Sequence, residues 1–294
     1  MADATTSGPA DADREGGRVK AGPRPSGAPF HPPKQRFFSL QSVFEPRTRM
    51  ILALLGAATL FLLWEVAAHS VPDAREKFFP PVEQVVGELY LLFAQENYIV
   101  DVAWSCLRIY LAYILAIGVA LPLAVAMGTF ANLRATMNPT LSALRYLPAA
   151  SFIPLLLVWF GPTDTAKIIL LFLGVIWFLV AGMLSNVLAL SKDLVESALT
   201  MGARRRTVVF NVILPATGPH LITTARDLSA VAWTYLVIAE VVGAQSGIGA
   251  MMMRAGRFMQ VDVIIAGILT IGILGVLTDM GFRLAHRLLF PWEY

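Results

Sequence analysis

The 294-residue sequence has one cysteine, four histidines, and only 15% charged residues. Cys106 stands alone in an apolar run, which excludes an intrachain disulfide and argues against a metal cluster. His31, His69, His220 and His286 form no H-E-x-x-H and share no plausible metal spacing. No Gly-Lys dipeptide occurs, so there is no phosphate-cradling P-loop and no ATP hydrolysis by that route. A G-x-S-x-G nucleophile elbow is missing as well. These absences predict a chain that is not an enzyme by itself and binds no cofactor.

What the sequence does hold is apolar length. Hydrophobic residues make up 56% and the mean hydropathy is +0.65, far above a soluble domain of this size. Six stretches read as membrane spans, near 50–69, 102–128, 138–160, 166–190, 217–243 and 261–283. Ile109–Leu133 and Ile168–Ser191 contain no charge and exceed the ~20 residues that cross a bilayer. The expected fold is therefore all-α and polytopic. A pI of about 9.1 could suggest nucleic acid, but the basic residues collect beside the spans, so no nucleic-acid partner is expected. With the N-terminus inside, eleven Lys and Arg near the spans fall on the inner side and five on the outer. That bias predicts cytoplasmic termini and a cytoplasmic loop around Glu196.

Two regions lie outside the spans. Residues 1–36 are polar and rich in Pro, Gly and Ala, and Phe37–Phe44 could form a short interfacial helix. Residues 1–45 are thus expected to be a disordered cytoplasmic tail without signal-peptide features, ahead of a membrane domain at 46–294. After Pro80-Pro81, Val82, Val85, Val86, Leu89, Leu92 and Phe93 keep helical spacing opposite Glu83, Glu88, Gln95 and Glu96. This predicts an amphipathic helix, either on the outer membrane surface or packed on the bundle.

Ionisable residues at membrane depth normally face a bundle interior or a wet cavity. Glu65 and Arg108, near outer ends of spans, read as structural or interfacial. Arg145 and Tyr146 precede Pro148 and Pro154, which break the third span, as in discontinuous helices that line transport paths. Arg226 and the adjacent Asp227 cannot both face lipid cheaply. With Trp233 and Glu240 they complete the candidate pathway set, against the alternative that each residue pairs with a neighbour and holds the bundle. Gly243–Gly249 is expected to be a loop, and Gly267, Gly272 and Gly275 allow close helix approach.

The segment Asp193–Pro215, DLVESALTMGARRRTVVFNVILP, stands out. Leu194, Ala198 and Met201 form a narrow apolar stripe. Asp193 with Glu196 could make a capping box, and Gly202 can take positive φ where the first helical piece ends. Val208, Val209, Val212 and Ile213 form a second apolar face, and Pro215 marks the entry to the next helix.

Glu196-Ser197-Ala198, three residues, Gly202, nine residues, then Val212-Ile213-Leu214-Pro215 resembles the EAA loop of ABC-importer permeases. Ser197 and Val212 depart from that pattern. The runs ALRYLPAASFIPLLLVWFG, AWTYLVIAEVVGAQSGIG and RLLFPW resemble the branch handling nitrate, sulfonate, taurine or bicarbonate, and the likeness covers about residues 50–292. It implies a type I importer permease in the cell inner membrane, translocating a small anion. It further implies that Glu196, Ser197, Ala198, Gly202, Arg204, Arg205, Leu214 and Pro215 couple to ATPase subunits carrying ATP and Mg. A second copy of the chain and an extracytoplasmic binding protein would complete the assembly. A stand-alone secondary transporter or channel is the alternative, though it should show inverted repeats and midplane coupling carboxylates. A structural subunit without a pathway is a third.

Overall fold

The structure, a computed structural model, describes residues 46–70, 78–95, 97–241 and 245–293. The expected tail, with its interfacial helix, lies outside these residues. Among these residues eleven α-helices follow one another: α1 Pro46–His69, α2 Val82–Gln95, α3 Tyr98–Thr129, α4 Ala131–Leu144, α5 Ile153–Phe160, α6 Asp164–Leu188, α7 Lys192–Thr200, α8 Arg205–Val208, α9 Leu214–Val241, α10 Ile248–Arg257 and α11 Val261–Leu289. No strand occurs among the described residues. The chain divides into two units, Met1–Leu55 and Gly56–Tyr294, with the division inside α1.

Among the described residues, five helices are long and apolar enough to cross a bilayer: Arg47–His69, Tyr98–Thr129, Asp164–Leu188, Arg205–Val241 and Val261–Leu289. The expected span at 138–160 is no straight helix. Ala131–Leu144 and Ala149–Phe160 meet at a bend of 82°. Proline is the cause. Pro148 holds an extended backbone at φ −69°, ψ 119°, and Pro154 opens α5, where a missing N–H costs nothing.

Small residues let the central helices approach. On α3, Ala112, Ala116, Ala120 and Ala124 recur every four residues and are buried, and Gly128 extends the row. A Cβ at Gly128 would lie 2.3 Å from Val187 Cγ1 of α6, so the two helix ends touch backbone to side chain. Apolar burial drives little between helices already in lipid, so close van der Waals packing of this kind carries the association. The core then fills with Leu170, Leu171, Val175, Leu179 and Met183 of α6 and Leu221, Ala225, Ala232 and Leu236 of α9.

The amphipathic helix expected after Pro80-Pro81 is α2. Its Val85 and Leu92 are buried in a smaller cluster with Tyr98, Val102, Ile248 and Ala266, while Val86 and Phe93 stay exposed. The packed alternative therefore describes its Val85–Leu92 face. Glu65 accepts a hydrogen bond from the Val82 backbone N–H at 3.1 Å, and Trp64 Nε1–H donates to the Pro80 carbonyl. Glu65 thus satisfies one of the first N–H groups of α2.

The stretch expected as a loop from Gly243 to Gly249 ends at Gly247. Residues 242–244 lie outside the described set, Gly247 takes φ +104°, and Ile248 already begins α10. Of the three glycines expected to allow close approach in α11, Gly267 does so: a Cβ there would sit 2.6 Å from Met252 Cγ of α10. Gly272 faces open space, and the nearest atom to a Cβ at Gly275 is 4.0 Å away.

Candidate functional site

The Asp193–Pro215 segment folds as two helical pieces joined at Gly202. The first starts earlier than the capping-box reading requires. Ser191 is the N-cap, with extended backbone at ψ 130° and no side-chain cap bond, so Lys192 is the first helical residue. Asp193 is not the cap. It falls in the first turn, where its charge still faces the exposed N–H ends. At the other end, the Gly202 N–H donates to Leu199 O at 2.9 Å and the Ala203 N–H to Ala198 O at 3.1 Å. With Gly202 at φ +84°, this pair of bonds is a Schellman motif, which closes the helix and turns the chain.

The apolar stripe of α7 points the other way from a core stripe. Ala198 is buried, but Leu194, Leu199 and Met201 are exposed, Met201 at 82%. Val195 and Ala198 make the inward contact, and the larger apolar side chains remain without cover beside exposed Glu196 and Ser197. In the second piece, Val208 and Ile213 are buried as the apolar face requires. Arg204 is the N-cap of α8, and Arg206 lies over the Phe210 ring at 5.8 Å.

Pro215 lies in the first turn of α9, as expected, but no break in the helical backbone precedes it. The backbone runs on from Arg205 to Val241 through one π turn at Val209–Ile213, where the Leu214 N–H reaches back to Val209 O. Pro215 has no N–H to offer the preceding turn, and the widened turn accommodates its ring.

At the opposite end of α3, six charges converge. Arg108, 1% exposed, donates from Nη1 to Glu240 Oε1 at 2.7 Å and from Nε to Asp164 Oδ1 at 2.8 Å. Its remaining donors reach the Ser246 carbonyl and hydroxyl at 2.9 and 2.5 Å. Ser105 donates to the Glu240 carboxylate at 2.7 Å and accepts the Ile248 N–H at 2.9 Å. The Gly249 N–H also donates to Glu240. Asp101 accepts the Gly247 N–H at 2.6 Å and lies 3.5 Å from Arg254, and Lys167 is 3.9 Å from Asp164. Glu240 is therefore fully buried and held by three partners, Arg108, Ser105 and the Gly249 N–H.

The other candidate pathway residues gather elsewhere. Arg226 and Trp233 line a cavity of about 780 Å³ between α9, α10 and α11, together with Asp227 and Asp279. Arg226 Nε pairs with Asp279 Oδ1, and Asp279 also accepts from Arg283 at 2.7 Å. Trp233 is buried, and its Nε1–H donates to Thr278 at 3.2 Å. Arg145 lines a second, open cavity of about 410 Å³ with Thr224 and Asp227. Arg145 is exposed beside the 82° bend, and Tyr146 is 86% exposed. Asp227 thus links the two cavities, and Glu240 belongs to neither.

Sequence reading named Arg108, Arg226 and Glu240 but missed Asp101, Ser105, Asp164 and Asp279. One signal was available. Asp101, Ser105 and Arg108 recur at i, i+4 and i+7, so they share one face of α3. Asp279 and Asp164 sit on other helices, and nothing in their spacing points to the arginine each one meets.

The family described as "Binding-protein-dependent transport system inner membrane component" matches residues 87–291. The taurine transport system permease TauC of Escherichia coli is 32% identical over 255 residues, covering 84% of this chain and 92% of that protein. The nitrate import permease NrtB of Synechocystis is 20% identical over 270 residues, 89% of this chain and 96% of that one. Among solved structures, an inward-facing form of the MetNI methionine ABC transporter matches with a TM-score of 0.59 at 20% identity. It covers 66% of this chain and 96% of the matched chain.

Proposed function

The chain belongs to the family of binding-protein-dependent transport system inner membrane components, and on that premise we propose that it forms the membrane path of an ATP-driven importer for a small anion. The substrate class is that of the sulfonate, taurine or nitrate permeases it resembles. The Lys192–Val208 hairpin is the surface on which a separate ATPase subunit docks. Its exposed Leu194 and Met201 supply an apolar contact, and Glu196 and Arg204 supply charge around it. That uncovered face on a helix closed by a Schellman turn is the observation that carries the reading. A rigid helix pushed from outside the bundle moves α9 directly, because α8, the π turn and α9 are one continuous rod from Arg205 to Val241.

Arg226 and Trp233, beside the Asp279 carboxylate, give the path a polar wall, and Arg145 with Tyr146 marks the broken span near it. A paired arginine offers an anion a modest attraction without a deep trap, which suits passage, while selectivity rests with an extracytoplasmic binding protein. A second copy of the chain closes the path. The termini and the hairpin are cytoplasmic, as the Lys and Arg bias around the spans supports. Glu240 is assigned to the scaffold.

The substrate class is tested by reconstituting the chain with its ATPase and binding protein. ATPase stimulation is then measured across taurine, alkylsulfonates, nitrate, bicarbonate, and neutral or cationic solutes. An anion is expected to stimulate most. A neutral or cationic solute as the best stimulator overturns the anion assignment.

A further inference from the structure

We propose that the cavity behind the hairpin is a binding site for the phosphate headgroup of an anionic phospholipid, held by Arg134, Lys192 and Arg205. The cavity measures about 880 Å³, within the range of small-ligand sites. The α3–α4 corner, the end of α6, α7 and α8 enclose it. Three cations and a single carboxylate, Glu196, line it. None of the three makes an ion pair or a side-chain hydrogen bond among the described residues, whereas Arg108, Arg226 and Arg283 are all paired. Three cations against one carboxylate leave the cavity with a net positive potential that an outside anion would offset.

The rest of the lining selects the kind of anion. Leu133, Val187, Leu188, Leu190 and Leu199 give the cavity an apolar wall. The wall lies where the spans α3 and α6 end, at Thr129 and Leu188, so it faces the boundary between acyl chains and headgroups. A phosphodiester carrying acyl chains satisfies both parts at once, and a free phosphate satisfies only the cations. Arginine matches phosphate geometry with two parallel donors, and each basic side chain beside an anionic leaflet adds attraction. The first backbone N–H groups of α4, capped by no side chain at Phe130, point to the same end of the helix. A bound headgroup would bridge Arg134 on α4 to Lys192 on α7 and Arg205 on α8. It would thus brace the hairpin from behind while the outer face of α7 stays free.

The permease reading enters here only through the membrane depth of the cavity, and the test reads lipid rather than transport. The full-length chain in detergent is titrated with phosphatidylglycerol or phosphatidylcholine and followed by native mass spectrometry. Phosphatidylglycerol is expected to be retained over phosphatidylcholine. Arg134→Gln and Lys192→Gln are each expected to weaken its retention roughly fivefold, with an unchanged melting midpoint. Excess inorganic phosphate should leave the lipid bound. Lys192→Glu, at an exposed position, gives the same reading if Arg134→Gln fails to fold. Equal retention of the two lipids, undiminished retention in the variants, or displacement by inorganic phosphate alone would each overturn the proposal.

Discussion

Arg108 on α3 and Glu240 on α9 face one another across 2.7 Å, and both side chains are closed to solvent. Each has further partners, Asp164 and Ser246 for the guanidinium, Ser105 and the Gly249 N–H for the carboxylate. A buried pair of this kind is weak evidence for stability in itself, but removing one member strands the other. Arg108→Met and Glu240→Leu should each cost about 3–5 kcal/mol. The double variant should recover part of that loss, because neither charge is then left unpaired. Melting of the four proteins in detergent checks this. Additive losses would mean that the two residues act separately.

The Arg226–Asp279 pair is the contrasting case, since both side chains are about one-third exposed at the cavity wall. Water screens such a pair, so Asp279→Asn should cost at most about 1 kcal/mol. Arg226→Gln is expected to lower anion uptake several-fold at nearly unchanged melting. If uptake and melting fall together, Arg226 is scaffold like Arg108.

Close packing of α10 on α11 depends on Gly267. Gly267→Leu would drive its side chain into Met252 and should cost about 1–3 kcal/mol. Gly272→Ala, with open space around it, should melt within about 0.5 kcal/mol of the parent. Equal effects at the two positions would contradict the packing described.

Orientation is tested by chemical access. In a Cys106→Ser background, a cysteine at exposed Thr200 should react with a membrane-impermeant thiol reagent only after the membrane is opened. One at exposed Glu83 on α2 should react in intact spheroplasts. The reverse pattern would place the hairpin outside and remove the ATPase from reach.

Much of this could be read from residue spacing, and the gaps have physical causes. The helical class follows from apolar runs such as Ile168–Ser191, which must satisfy their backbone internally. The turn at Gly202 was legible because its φ is one that L side chains rarely adopt. The capping box at Asp193 was misplaced because α7 begins from Ser191, two residues earlier, a choice the local sequence leaves open. The α7 stripe was visible, but periodicity gives a face and not its partner. Leu194 and Met201 turn away from the core that Ala198 enters. Ion pairs between helices, such as Arg226 with Asp279, depend on rotation and register set by packing, so one helix's sequence does not contain them.

The central claim is that the hairpin transmits ATP hydrolysis to the membrane path, and Gly202 is where it can be tested with least side effect. No atom lies within 4 Å of a Cβ at this position, so Gly202→Asp acts through backbone conformation and charge and leaves packing alone. The positive φ makes the change cost about 1 kcal/mol locally, too little to unfold the bundle. The measurement is ATP-dependent uptake of the best-stimulating anion into proteoliposomes, for parent and variant at matched insertion. The account predicts uptake at background for Gly202→Asp, with the variant inserted and melting near the parent. Uptake equal to the parent's would contradict it.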